Sequence, residues 1–348
     1  MNDKIYRLID ANINRATEGL RVAEDIVRFV LDESKLTARL KSIRHEISRL
    51  MRDERWEMRG ARNVKADVGA GRSTKSEGSR RNILEIFIAN MKRAEESVRV
   101  FEETSKLIDP SLGPKFKKLR FELYDIEKET STKLYKIEKL DFDLYVISDD
   151  PEVLRKAVSA GARAVQLRVK NRSRSNVLKL AKRTVKMLKN KAILIINDYP
   201  DIALKAGADG VHVGQDIPPS SFGLRRASGI SGYRGIRKML GDNKIIGISA
   251  SNLKEALKAE DIGADYIGFG PIFSTPIKPH AKPLGIKGLR KVMKRVTVPV
   301  VAIGGINRSN IGKVLATGCR RVAVIRAVNQ AKDIAKATRE LVSKIEGS

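Results

Sequence analysis

Over residues 3–140, apolar side chains recur every three or four positions, and no run alternates in the manner of a strand. In KIYRLIDANINRATEGLRVAEDIVRFVLD, the residues Ile13, Ala16, Leu20, Ala23 and Val27 fall on one helical stripe. SKLTARLKSIRHEISRLM predicts a second helix, about 81–108 a third, and about 114–138 a fourth after a break at Pro110–Pro114. From about 141 the pattern changes, and short runs rich in β-branched residues alternate with helical stretches. The runs read DLYVIS, AVQLRV, AILIIN, GVHVG, KIIGIS, YIGFGPI, VPVVAIGG and RVAVIRA. Eight β-then-α units in about 200 residues predict a (β/α)₈ barrel. A doubly wound open sheet is the alternative, but the even spacing and the lack of GxGxxG after the first run favour the barrel. The expected class is therefore α/β, with a TIM barrel at 139–348 preceded by an all-α domain at 1–138.

The helical part contains a repeat. ANINRATEGLRVAED (11–25) matches ANMKRAEESVRVFEE (89–103) at eight of fifteen positions, and KSIRHE (41–46) matches KKLRFE (117–122). Two helical hairpins related by duplication are expected to pack as a four-helix unit. Asn12, Arg15, Glu18, Arg21 and Glu24 share one helix face, and the second copy repeats them as Asn90, Arg93, Glu96, Arg99 and Glu102. Such a face can hold a phosphate and a cation, or it can be a solvent-facing ladder of ion pairs. The segment between the hairpins, about 55–80, is rich in Gly, Arg and Lys. It reads either as a phosphate-gripping loop or as a solvated one.

In a TIM barrel the chemistry sits where the strands end. Strand 2 ends with Gln166, Arg168 and Lys170, strand 3 with Asn197 and Asp198, and strand 4 with Gln215 and Asp216. Strand 5 ends with Ser249, and strand 6 runs into GPIFSTPIK with Thr275 and Lys278. Strand 7 ends in Gly304-Gly305, a turn whose backbone N–H groups suit a phosphate, and strand 8 ends in Ile325-Arg326. Two carboxylates, several cations and a glycine turn at one mouth suit a Mg²⁺-bound diphosphate beside a second phosphate.

Composition narrows the cofactor. Cys319 is the single cysteine, which excludes disulfides within the chain, and His45, His212 and His280 are the only histidines. A Cys/His zinc site is thus not expected, and a hard cation held by carboxylate and phosphate oxygens is. A net charge of +28 favours anionic partners, or is simply the charged surface of a thermophile or halotolerant protein. Aromatic residues make up 5% of the chain, a poor supply for stacking bases, so nucleic acid is not the expected partner. No apolar run approaches the roughly 20 residues of a membrane span, and MNDKIYRLIDAN lacks the apolar core of a signal peptide. A cytoplasmic protein is the expectation, with its oligomeric state open.

VQLRVKNRS, LIINDYPDIALKAGADGVHVGQDIP, IIGISASN, GADYIGFGPIFSTPIKPHAKPLGIKGL and VPVVAIGGI resemble the thiamine-phosphate synthase family over about 141–330. The related thiazole tautomerases share the fold but generally lack the Asn-Asp and Gly-Gln-acid features. The resemblance implies that 4-amino-2-methyl-5-pyrimidinylmethyl diphosphate joins thiazole phosphate to give thiamine phosphate and pyrophosphate. It implies a dissociative route, in which pyrophosphate leaves and the thiazole nitrogen traps a pyrimidinylmethyl cation. By motif, Gln166, Leu167, Arg168, Val169, Lys170 and Asn197 would hold the pyrimidine diphosphate. Asp198 and Asp216 would bind Mg²⁺, and Ser249 and Lys278 would contact the pyrimidine substrate and its diphosphate. Arg168, Lys170, Ser249 and Lys278 would act on the reacting groups. Thr275, Pro276, Ile277, Gly305, Ile325 and Arg326 would hold the thiazole phosphate.

Three departures stand out. Gly214-Gln215-Asp216 is one residue shorter than the usual family step, so Asp216 aligns with either of two acids. SSFGLRRASGISGYRG lengthens the connection over 217–235. Arg326 replaces a common serine and either grips the phosphate or crowds it. DANINRATEGLRVAEDIVRFVLD resembles, over roughly 5–130, a helical domain fused to or found beside some of these synthases. That domain is associated with an alternative kinase that converts the pyrimidine monophosphate to the diphosphate, which implies ATP as a further partner. No GxxxxGK[ST] loop is present. A docking, dimerisation or basic nucleic-acid module is the competing reading.

Overall fold

A computed structural model describes residues 2–51, 79–188, 190–214 and 230–348. Two compact units divide the chain, Met1–Ile137 and Glu138–Ser348. In the first, helices α1 (Asn2–Phe29), α2 (Ser34–Leu50), α3 (Ile83–Thr104) and α4 (Leu112–Lys139) follow one another. The expected break ends earlier than Pro114, which lies in the first turn of α4. Proline is tolerated there because its missing N–H would have had no intrahelical partner.

The apolar stripe read from α1 is buried: Ile13, Ala16, Leu20, Ala23 and Val27 pack with Leu40 and Ile43 of α2 and Met91, Ala94 and Val98 of α3. Helices α1 and α3 approach closely at Gly19, where a Cβ would lie 2.6 Å from the carbonyl oxygen of Asn90. Glycine is needed there for close approach of backbones.

The shared polar face divides in two. Arg15, Glu18 and Arg21 are exposed, whereas Asn12 and Glu24 are buried. Asn12 Nδ2 donates to the Leu8 carbonyl, and Asn90 Nδ2 repeats this to Ile86. Glu24 Oε2 accepts from both Nε and Nη2 of Arg44 on α2, at 3.1 and 3.0 Å. The second copy repeats the clamp, with Arg120 of α4 donating to Glu102 at 2.9 Å and Arg99 at 2.9 Å on its other oxygen. The face is therefore neither a plain solvated ladder nor a plain ligand face. Its buried acid ties the first helix of each hairpin to the second, which explains why an arginine recurs in KSIRHE and KKLRFE. The segment about 55–80 lies, but for its last two residues, outside the described residues.

In the second unit, eight parallel strands close into a barrel in chain order, with β1 pairing both β2 and β8. They are β1 (Leu144–Ser148), β2 (Ala164–Leu167), β3 (Ile193–Asn197), β4 (Gly210–Val213), β5 (Ile245–Ala250), β6 (Tyr266–Phe269), β7 (Val300–Ile303) and β8 (Val322–Val324). The open sheet is thereby excluded. Helices lie between successive strands; after β4 the described residues resume in a helix, α5 (Ile230–Leu240), so the last part of the lengthened connection is helical. Caps are local and ordinary. Asp150, Asn252 and Asp333 each accept an N–H of the following helix's first turn.

Alternation sorts the strand side chains into two layers. Val146, Val165, Leu167, Leu194, Ile196, Val211, Ile246, Ile267 and Val324 pack outward against the helices. Tyr145, Ile147, Ala164, Ile193, Ile195, Ile245, Tyr266, Val301 and Ala323 fill the interior. Because both layers are apolar, the strands read as continuous apolar runs. Among the described residues no helix is long and apolar enough to cross a membrane.

Burial raises the Glu102 carboxyl, but Arg120 and Arg99 outweigh it and hold the group below the ordinary carboxylate range. Its stabilising contribution is present above the unfolded-state value and is lost as pH falls through the depressed one. Arg120→Ala should leave this acid buried and less well paired, at a cost of about 2–3 kcal/mol. Urea denaturation followed by circular dichroism would measure the loss, and the difference from wild type should shrink in acid.

Candidate active site

The C-terminal strand ends meet around one cavity of about 740 Å³. Gln166, Arg168, Lys170, Asn197, Asp198, Ser249, Thr275, Pro276, Ile277, Lys278, Gly305, Ile325 and Arg326 all line it. Leu167 and Val169 do not. They are inside the run QLRVK, yet every second residue of that run points outward, and both are buried in the layer beneath the helices. Any part they play is through their backbones. Gln215 and Asp216 lie outside the described residues.

Asp198 has the most unusual backbone of the site. Its φ of 62° is in the left-handed region, uncommon for a residue with a side chain. Its N–H donates to the carbonyl of His212, which ties β3 to β4 at the mouth, and Asn197 Nδ2 donates to its carboxylate at 2.6 Å. Burial pushes this carboxyl up from its ordinary value, against the pull of Asn197, Arg168 and Lys170. An acid that is desolvated and faces two cations is poised for a further positive charge.

The glycine turn stands across the cavity. Gly304 and Gly305 have φ of 99° and 67°. A Cβ on Gly304 would lie 2.5 Å from Cα of Pro271, and one on Gly305 would lie 2.5 Å from the carbonyl of Ser274. Both positions need glycine for conformation and for space. Asn310 Nδ2 donates to the Gly305 carbonyl at 2.9 Å and holds the turn from behind. Arg326 opens a short helix after β8, is exposed at the rim, and donates through Nε to Gln330 at 2.8 Å. Its side chain thus runs along its own helix.

Charge around the cavity is lopsided. Arg168, Lys170, Lys278 and Arg326 face two carboxylates, Asp198 and Glu255. Glu255 is occupied in holding the loop after β5, accepting from the backbone and hydroxyl of Ser251 and from Asn252. The remaining balance suits a strongly anionic ligand. Among the described residues no group of three His, Cys, Asp or Glu side chains is placed to hold a metal ion.

Among the cavity residues that escaped the sequence reading are Tyr145, His212 and Tyr266. Tyr145 and Tyr266 are buried at the floor, and their hydroxyls lie 3.1 Å apart. His212 Nδ1 lies 3.0 Å from the Tyr266 hydroxyl, and Nε2 lies 2.9 Å from Oγ of Ser249. Gln166 Nε2 donates to the Tyr145 hydroxyl at 2.8 Å. Glycines make room for the rings: a Cβ on Gly268 would be 2.8 Å from the His212 ring, and one on Gly247 would overlap Tyr266. Burial, with Lys278 and Arg168 nearby, pushes His212 down to about 4, so the imidazole is neutral near pH 7. The signal available in the sequence was parity, because His212, like Gln166, is a polar residue next to the last of its strand, on the inward phase.

Residues 143–328 match the family model described as thiamine monophosphate synthase, and residues 7–129 match the ThiD2 family. A thiamine-phosphate synthase of Synechocystis is 35% identical over 348 residues, covering 98% of this chain and 96% of that protein. One from Gloeobacter violaceus is 35% identical, covering 96% and 95%. Among solved structures, a thiamine phosphate pyrophosphorylase from Pyrococcus furiosus aligns with a TM-score of 0.52 at 38% identity, covering 59% of this chain and 96% of that one.

The raised Asp198 carboxyl has a stability consequence. Its charged form is disfavoured by folding, so the group costs stability as pH rises from the ordinary carboxylate value through the raised one. Asp198→Asn removes that cost, and Asn accepts the left-handed backbone better than most residues. The thermal midpoint of the ligand-free barrel should rise by about 1–3 °C at neutral pH. The gain should vanish near pH 3, as read by differential scanning calorimetry.

Proposed function

This chain belongs to the thiamine-phosphate synthase family, and on that premise we propose how the barrel cavity divides the work of the reaction. The enzyme is a transferase of thiamine biosynthesis. It condenses the aminopyrimidine diphosphate with thiazole phosphate to give thiamine phosphate and pyrophosphate. The observation that carries the assignment of roles is the placement of Asp198, Arg168 and Lys170 on one side of a single cavity, with the Gly304-Gly305 turn on another.

Arg168 and Lys170 hold the diphosphate, with Lys278 from the β6 loop, and neutralise it as its bond to carbon breaks. No protein nucleophile is required, because the departing group is the diphosphate and the incoming nucleophile is the thiazole nitrogen. Gln166, Asn197 and Ser249 orient the pyrimidine. Thr275, Pro276, Ile277, Gly305, Ile325 and Arg326 enclose the thiazole phosphate, with backbone N–H groups of the glycine turn as donors.

The donor set fits Mg²⁺ rather than a softer metal. Asp198 offers a hard carboxylate oxygen whose desolvated charge is only partly compensated, and diphosphate oxygens complete such a site with water. When bound, the ion supplies charge stabilisation to the leaving diphosphate. Asp216 is the proposed second carboxylate. Asp198 holds its carboxylate toward the diphosphate, and Asn197 fixes its orientation through the 2.6 Å hydrogen bond.

The helical unit carries a second reading, favoured by its match to the ThiD2 family. It phosphorylates the pyrimidine monophosphate from ATP and so supplies the diphosphate that the barrel consumes.

Purified full-length chain with both substrates and Mg²⁺ should form thiamine phosphate, and chelation by EDTA should abolish turnover. No product with the diphosphate supplied would sink the synthase reading. Asp198→Asn should lower kcat by about 100-fold or more while the fold persists. Wild-type rate should fall in acid as the raised Asp198 carboxyl takes up its proton. The same Asp198→Asn chain, given pyrimidine monophosphate and ATP, should accumulate the pyrimidine diphosphate, measured by phosphorus NMR. If ATP is not consumed in its presence, the kinase reading fails and a docking or dimerisation role takes its place.

A further inference from the structure

The seam between β8 and β1 closes the ring, and it joins the two strands most distant in the chain. Other seams run on past their strands through backbone bonds. The Arg168 N–H donates to Ser148, Asp198 to His212, Gly270 to Ala250 and Ile272 to Ile303, at 2.8–3.1 Å. The closing seam has a shorter strand on one side. By the alternation of a strand, Asp143, Tyr145 and Ile147 turn their carbonyls toward the same neighbour. The Val322 N–H meets the Asp143 carbonyl at 2.8 Å, which identifies that neighbour as β8. Pairing continues through Tyr145 with Ala323 and Val146 with Val324, and there β8 stops. The chain turns into the short helix Arg326–Asn329, so the Ile147 carbonyl falls beyond the end of its partner strand.

Asn329 supplies the missing bond. Its Nδ2 donates to the Ile147 carbonyl at 2.8 Å and to the Ile325 carbonyl at 2.6 Å. Both partners are carbonyl oxygens, so the group that faces them is the amide NH₂, which has one N–H for each. A single side chain thus joins the mouth ends of β1 and β8 across 182 residues of sequence. Ile147 is 3% exposed, and without Asn329 its carbonyl would be left buried and unpaired. Ile147, Ile325 and Arg326 line the cavity, whereas Asn329 does not.

We propose that Asn329 is a positioning residue for the thiazole phosphate: it closes the β8–β1 seam at the mouth and so holds Ile325 and Arg326 where the phosphate is enclosed. This inference rests on the synthase reading and on its placement of the thiazole phosphate beside those two residues. Asn310 has the matching part on the opposite wall, through the Gly305 carbonyl. The diphosphate side does not depend on Asn329, because the ends of β2 and β3 are tied by the backbone bonds of Arg168 and Asp198. Loss of Asn329 therefore acts on one substrate and spares the other.

Two variants separate this role from that of an ordinary asparagine at a helix end. Asn329→Leu removes both bonds at nearly constant volume. Asn329→Thr keeps a hydroxyl that reaches the carbonyl four residues back, at Ile325, but is too short to cross the seam. In steady-state assays, KM for thiazole phosphate should rise about 10-fold in each variant, while KM for the pyrimidine diphosphate stays within about twofold of wild type. A merely structural role would lower kcat through loss of active protein and leave both KM values unchanged, and Asn329→Thr would match wild type. Should Asn329→Leu fail to fold, Asn329→Thr carries the test, since it retains the bond within the helix. An unchanged KM for thiazole phosphate in Asn329→Thr, or an equal rise in both KM values, overturns the positioning role and leaves the synthase reading intact. Absence of wild-type turnover overturns the synthase reading and this inference with it.

Discussion

A closed ring of eight parallel strands leaves an interior of fixed width, and every second side chain of every strand must be placed in it. This chain divides that space. The lower part is filled by Ile193, Ile195, Ile245, Val301 and Ala323, with Phe142 beneath. The upper part takes polar groups, and between the two lie the rings of Tyr145 and Tyr266. Their apolar bodies belong to the plug and their hydroxyls to the cavity floor, so the packed core ends where the site begins. The glycines at 247 and 268 follow from this arrangement, because neighbouring inward positions must be empty if three rings are to fit.

The cavity above inherits its chemistry from that floor and from the loops. Neutral hydrogen-bonding groups lie deep, and charged groups lie at the rim. Asp198, Arg168 and Lys170 stand where β2 and β3 end, and Arg326 stands after β8. In the proposed reaction this ordering would separate recognition of an uncharged ring from management of phosphate charge. Two of those cations, Lys278 and Arg168, add to burial in holding the imidazole in its neutral form.

Much of this was legible in the sequence because it resides in strand ends and turns. The eight apolar runs, Asn197-Asp198 and Gly304-Gly305 announce themselves by residue type and spacing. The phase of alternation did not, since strands apolar on both faces give no hint of which residues turn inward. Leu167 and Val169 therefore stood beside Gln166 and Arg168 as equals, and Tyr145 and Tyr266 were not singled out. The pairing of Glu24 with Arg44 was hidden for another reason. It joins two helices at twenty residues' separation, and nothing local distinguishes it from the exposed i,i+3 and i,i+4 pairs around it.

The close crossing at Gly19 has an implication for the history of the helical unit. Gly19 and Ser97 are the same position in the two repeats, yet only at Gly19 do the backbones come so near that a Cβ is excluded. Ser97 carries a side chain, is buried, and hydrogen-bonds its own helix at the Arg93 carbonyl. Two identical hairpins meeting about a two-fold axis would have to carry the same residue at both places. Joining them in one chain lifted that requirement, so each half was free to drift where its twin could not follow. The unit has consequently lost the symmetry of its origin at the contact that brings its halves together.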